Sequence, residues 1–150
     1  MARSFAPASA SENAAPSGAA PQGPAPATPS ELSQWPIQLH LVSPQAPYFR
    51  ECDLLIAADC TAFSLGSFHP DLLRGKALAI ACPKLDKLDG YVEKLAELIA
   101  SNTIYSITVA IMEVPCCTGL SRIVAEAVAR SGKAIAVKTV VIGINGKKIS

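Results

Sequence analysis

Asp53-Leu54-Leu55-Ile56-Ala57-Ala58 is an apolar run that opens on one acid and is followed at once by Asp59-Cys60. A short run with apolar residues on both alternating faces reads as a strand covered on both sides, as in a parallel sheet. Residues 77–81, 107–114 and 138–144 repeat the pattern, the last rich in Val and Ile. Residues 37–42 alternate instead and read as an edge or early strand, with Gln38 and His40 opposite Ile37, Leu39 and Leu41. Between the runs the period changes. Val92, Leu95, Ala96 and Ile99 form an apolar stripe within a helix over 89–100. Ile123, Val124, Ala127 and Val128 do the same within 120–131, where Gly132 follows as a C-terminal cap. Residues 71–74 read as a helical turn ended by Gly75. Strands alternating with helices imply right-handed crossovers and a three-layer, Rossmann-like α/β domain with a mainly parallel sheet.

Residues 1–30 are of another kind. Ten Ala, six Pro, five Ser and two Gly leave only Phe5 to anchor a core. Such a segment buries too little apolar surface to offset its ordering entropy, so it reads as a disordered Ala/Pro-rich tail or linker ahead of a domain over 31–150. No 7–15-residue apolar core of a secretory signal stands at the start, which points to a cytoplasmic protein. The chain of 150 residues carries 13 Lys plus Arg against 12 Asp plus Glu, and the charges are scattered. That balance gives no electrostatic footprint for nucleic acid or an anionic membrane. No apolar stretch approaches the roughly 18 residues of a membrane span. Neither GxGxxG, GxxxxGK[ST] nor a GxSxG elbow occurs, so no nucleotide fingerprint or serine-hydrolase motif is present. Gly143, Asn145 and Gly146 read as a turn.

The five cysteines carry the functional signal. Cys60, Cys82 and the Cys116-Cys117 pair each close one of the buried strands, whereas Cys52 stands at the opposite end of its own. Ligands of open parallel sheets bind beyond the carboxyl ends of the strands, so four thiols are expected on the binding edge. Thiolates ligate iron–sulfur clusters and zinc, and four satisfy either. Cys117 precedes a helix N-terminus, which favours a thiolate and suits a ligand or a redox nucleophile equally. Inert packing of buried cysteines is the plain alternative. A disulfide framework fits poorly with an intracellular chain.

One ordered string of motifs points to a family. Gln34-Trp-Pro-Ile-Gln-Leu-His-Leu-Val42 is followed by Ala46-Pro-Tyr-Phe49, Ala57-Ala-Asp-Cys60 and Phe68-His69. Gly75-Lys76, Ile80-Ala-Cys-Pro-Lys-Leu-Asp86 and Met112-Glu-Val-Pro-Cys-Cys117 complete it. Over residues 30–149 the chain resembles the carboxyl-terminal domain of bacterial and archaeal ferredoxin-type iron–sulfur proteins, in which two 4Fe–4S ferredoxin motifs precede this domain. The CxxCxxC runs of that ferredoxin module do not occur in this sequence. The resemblance therefore implies electron transfer only through Cys60, Cys82, Cys116 and Cys117, with a ferredoxin-type or oxidoreductase subunit as partner. Cys82 with Cys116-Cys117 is also spaced like the first half of the CCG domain of heterodisulfide reductases, without its later CxxC.

The leading expectation is thus a redox accessory domain holding an iron–sulfur cluster, with zinc as the alternative metal. A thiol enzyme with Cys117 as nucleophile, and a non-catalytic interaction domain with inert cysteines, are the rivals. A second copy of the chain, giving a homo-oligomer, is a further candidate partner. His69 and Asp59 are auxiliary candidates: His69 as ligand or proton donor against an ordinary loop histidine, Asp59 as cluster-tuning group against a helix cap. Lys84 and Asp86 are expected to face solvent, His40 to be structural, and Trp35-Pro36 to clamp the tail to the domain.

Overall fold

A computed structural model describes residues 2–4, 23–24 and 26–150. In chain order its elements are β1 (Arg3–Ser4), β2 (Gln34–Trp35), β3 (Glu51–Ala58), α1 (Thr61–Ser64), β4 (Lys76–Ala81), α2 (Tyr91–Ser101), β5 (Thr103–Met112), α3 (Thr118–Ser131) and β6 (Ala136–Ile142). Short 3-10 turns cover Pro47–Phe49 and Pro115–Cys117, and a π-helical turn covers His69–Leu73. The last four strands form one wholly parallel sheet in the order β4-β3-β5-β6. The run at 53–58 is therefore the heart of a central strand, and Leu54 through Ala58 are each at most 2% exposed.

The chain leaves β3 toward β4 on one side, then returns across it to β5 and β6 on the other. Right-handed crossovers running in opposite directions put their connections on opposite faces. Accordingly α2 and α3 pack side by side on one face, with α1 and the π-helical turn on the other. The three layers expected from the sequence are present. The reversal of direction between β3 and β5 is the point at which such sheets open a crevice beyond their carboxyl ends.

Both outer edges are partly closed. Gln34, 1% exposed, acts as a strand in miniature beside β4: its Oε1 accepts the Leu78 N–H at 2.8 Å and its Nε2 donates to the Leu78 carbonyl at 2.9 Å. The alternation over 37–42 does not make a strand. Only Gln38 bridges to Ile80, and the chain then turns. The Lys94 ammonium supplies the reason by donating to the carbonyls of Leu39, His40 and Val42 at 2.8–3.3 Å, which gathers them into a turn instead of a ladder. On the far side, Val141 donates to Ser150 and accepts from Ile149, closing the second half of β6.

Arg3–Ser4 pair antiparallel with Gln34–Trp35, so this part of the tail lies against the domain. Trp35 belongs to that ribbon and is 54% exposed. Phe5 and most of the Ala/Pro stretch on which the disorder expectation rests lie outside the described residues. Gly132 ends α3 in the left-handed conformation, φ 72°, as its position after the apolar stripe implies. Among the described residues no helix is long and apolar enough to cross a membrane.

Candidate functional site

Three neighbouring strands, β4, β3 and β5, are each followed closely by a thiol. Cys60 follows β3 by two residues and is the N-cap of α1, and Cys82 follows β4 directly. Cys116 and Cys117 follow β5 in the Pro115–Cys117 turn, and Cys117 is the N-cap of α3. Cys52 lies within β3 near its amino end, on the opposite side of the sheet. The sequence-based placement of the thiols therefore holds strand by strand.

Their surroundings divide them. Cys60 and Cys116 are exposed, Cys82 is half-buried, and Cys117 is buried. Cys116 is the sequence neighbour of Cys117, and both Cys116 and Cys60 act on the Cys117 thiol. Burial is the largest influence on Cys117 and holds its thiol above the ordinary range, with the two neighbouring thiols adding to the effect and a backbone hydrogen bond at Met112 opposing it. The thiol thus stands above its ordinary range rather than below it as the position before the helix suggests, with burial as the first cause.

Cys82 belongs to a second group. Its N–H donates to Asp86 Oδ2 at 2.8 Å, and the Tyr91 hydroxyl donates to the same oxygen at 2.6 Å. Asp86 thus organises the loop after β4 and does not simply face solvent. Tyr91 is 2% exposed, and its phenol is raised first by burial and then by the Asp86 hydrogen bond. His40 stacks a tilted ring 4.6 Å from Tyr91, the structural part expected of it. The two groups meet where a Cβ at Gly119, in the first turn of α3, would stand 3.3 Å from Pro83 Cβ. Glycine there lets the Cys82-Pro83 loop rest on the helix start that carries Cys117.

Asp59 does not cap a helix; α1 has no side-chain cap. Its carboxyl is raised by burial and by the nearby Asp86 charge, while a hydrogen bond from the Gln38 amide works the other way. Its Oδ1 is buried and has no partner among the described residues. Ser121 Oγ, in the first turn of α3, is in the same condition. His69 Nδ1 accepts the Glu31 N–H at 3.0 Å, so this histidine ties the incoming segment to the π-helical turn. His69 and Asp59 both line an apolar cavity between that turn, α1 and β4.

Sequence reasoning assigned Asp86 to solvent and did not single out Tyr91 or Ser121. The signal for Asp86 was its spacing: four residues after Cys82 and across Pro83, its own N–H closes a turn on the Cys82 carbonyl at 2.9 Å. Among the described residues no three His, Cys, Asp or Glu side chains surround a common point suited to one metal ion. A single zinc, which needs all its thiolates at about 2.3 Å, does not fit that arrangement. Four thiols follow the ends of three adjacent strands, which is the number of thiolates that an iron–sulfur cluster takes.

A family model described as a Rossmann-like domain matches residues 46–150. An uncharacterized protein of Archaeoglobus fulgidus is 30% identical over 116 residues, which cover 77% of this chain and 81% of the relative. No solved structure matches. The matched family is described by its fold and the relative by no activity, and neither match shows a ferredoxin-type iron–sulfur family. On the extent of these two matches, the chain belongs to the family of Rossmann-like domains.

Proposed function

We propose that the chain is a redox accessory domain whose Cys60, Cys82, Cys116 and Cys117 hold an iron–sulfur cluster over the crevice between β3 and β5. One observation carries the reading: four thiols follow three neighbouring parallel strands at their carboxyl ends, the edge at which open parallel sheets generally bind ligands. The resemblance to ferredoxin-type proteins supports it. A bound cluster would supply one-electron transfer. The chain's own residues would set its surroundings: Asp86 fixes the Cys82 backbone, and Gly119 admits Pro83 against α3. Cys117, buried and held above its usual pKa, would lose its proton on ligation. A ferredoxin-type or oxidoreductase subunit is the electron partner this reading calls for.

Single Cys→Ala variants, reconstituted anaerobically with iron and sulfide, test the assignment. Loss of the visible cluster absorption in each of the four, with retention in Cys52→Ala, is the expected result. Equal absorption in all five variants would reject it.

A second reading rests on the contact between exposed Cys116 and buried Cys117. An enzyme with Cys117 as attacking thiol is disfavoured by its raised pKa, but the Cys116 thiolate could attack a substrate disulfide and expel one of its thiolates, after which Cys117 displaces the second to leave a Cys116–Cys117 disulfide and a reduced dithiol product. That reading expects full activity without iron and a trapped mixed disulfide on Cys116 in the Cys117→Ala variant.

A further inference from the structure

A cavity of about 210 Å³ lies on the α1 face of the sheet, outside the thiol cluster. Leu32, Ile37, Phe68, Leu73, Leu78 and Ile80 make most of its wall. Phe63 also lines it and is 94% exposed, so the cavity opens to solvent past this ring. Three polar residues reach the wall, and two have their bonds satisfied inside the protein. Thr61 Oγ1 donates to the Ala58 carbonyl at 2.7 Å, and His69 Nδ1 accepts from Glu31. Asp59 Oδ1 has no partner among the described residues although it is buried. A buried acceptor of this kind calls for a donor from elsewhere.

Size and chemistry together limit the occupant. An apolar cavity of about 150 Å³ holds benzene, so this one takes a single ring with a short substituent. The wall offers such a ring apolar contact on several sides. The Asp59 carboxyl takes a hydrogen bond from the Gln38 amide, but the acceptor left open at its buried Oδ1 favours an N–H donor, and a cationic one most, since it also offsets the nearby Asp86 charge. We propose that this cavity is a binding site for a small apolar amine, its ring or branched alkyl body against Ile37, Phe68 and Leu78 and its nitrogen donating to Asp59 Oδ1. The site is separate from the cluster reading and stands or falls without it.

Benzylamine and toluene are suitable probes of the full chain, followed by amide chemical shifts in solution. Benzylamine should bind at least about tenfold more tightly than toluene, the advantage of one charge-assisted hydrogen bond. Shifts should centre on Thr61, Phe68 and Leu78. Asp59→Asn should reduce the amine's advantage to within about threefold and leave toluene unchanged. Ile37→Phe, which adds volume at the wall, should weaken both. Equal affinity for the two probes would mean that water satisfies Asp59 and would overturn the proposal. So would shifts centred elsewhere, or an amine preference that survives Asp59→Asn. If either variant fails to fold, the wild-type preference and the location of its shifts decide the matter.

Discussion

Replacing Asp86 by Ala removes one oxygen that two donors share. The Cys82 N–H, at 2.8 Å, and the Tyr91 hydroxyl, at 2.6 Å, both lose their acceptor. Tyr91 is 2% exposed, so water cannot replace the carboxylate at its hydroxyl without opening the loop. A hydrogen bond to a charged group contributes about 1.5–3 kcal/mol, and stranding a buried donor costs about 1–3 kcal/mol. Asp86 itself is only half-buried, which puts the loss at the low end, about 2 kcal/mol for the pair. For a domain of this size that lowers Tm by roughly 8 °C. Asp86→Asn keeps a carbonyl oxygen for both donors and forfeits only the charge, so about 1 kcal/mol is expected. In a Tyr91→Phe background the cost of Asp86→Ala should fall by about half, because one of the two donors is already gone. Urea and thermal unfolding followed by circular dichroism measure wild type, the three single variants and the double variant. A loss below about 0.5 kcal/mol for Asp86→Ala, or no coupling to Tyr91, would refute the shared-acceptor account.

Gly146 has φ 80°, and a Cβ there would stand 2.8 Å from the Ser64 carbonyl oxygen, whereas Gly75, φ 73°, has open space. Gly75→Ala should therefore cost about 1 kcal/mol for the backbone alone and Gly146→Ala clearly more; equal losses in urea unfolding would contradict this. Gln34→Ala leaves both the Leu78 N–H and its carbonyl unpaired in a buried place, a loss of about 2–4 kcal/mol read from the urea midpoint. Burial, with Asp53 adding to it, pushes the Cys52 thiol from 9.0 up to about 12. A thiol raised in the folded state stabilises fully below its unfolded pKa, and the contribution is lost as pH rises from about 9 toward 12. The urea midpoint should fall over that window and fall less in Cys52→Ala; a midpoint that rises with pH would show the sign to be wrong. With a thiol reagent at neutral pH, exposed Cys60 and Cys116 should react before Cys52 and Cys117 in metal-free protein, and fast labelling of Cys52 would contradict the burial described.

The parallel sheet was legible because its central strands are apolar on both faces, a pattern that burial alone explains. Helix α2 was legible because Val92, Leu95, Ala96 and Ile99 recur at helical spacing over about two turns, and Leu95 and Ile99 are buried. Residues 37–42 misled for a physical reason: alternation records which side chains face inward, but strand formation depends on where the backbone bonds go. There a lysine from α2, remote in sequence, takes the carbonyls. Helix α1, with four residues, is too short to show a period. The strand-end position of Cys60, Cys82, Cys116 and Cys117 followed directly from strand boundaries. Depth did not follow, since whether Cys117 is raised or lowered depends on how far the turn sinks between β5 and α3. Asp86 reads as a solvent-facing residue in the sequence because its acceptor role exists only once the Cys82–Asp86 turn has closed. His69 and Asp59 share a cavity because the π-helical turn packs over β4, a contact no local pattern encodes.

The most direct test of the cluster reading is the iron and acid-labile sulfide content of the full chain purified without oxygen, taken beside its visible spectrum. The account predicts iron and sulfide in near-stoichiometric amounts and a cluster absorption band that bleaches on reduction. Protein that carries neither, and takes up neither on anaerobic reconstitution, would contradict it.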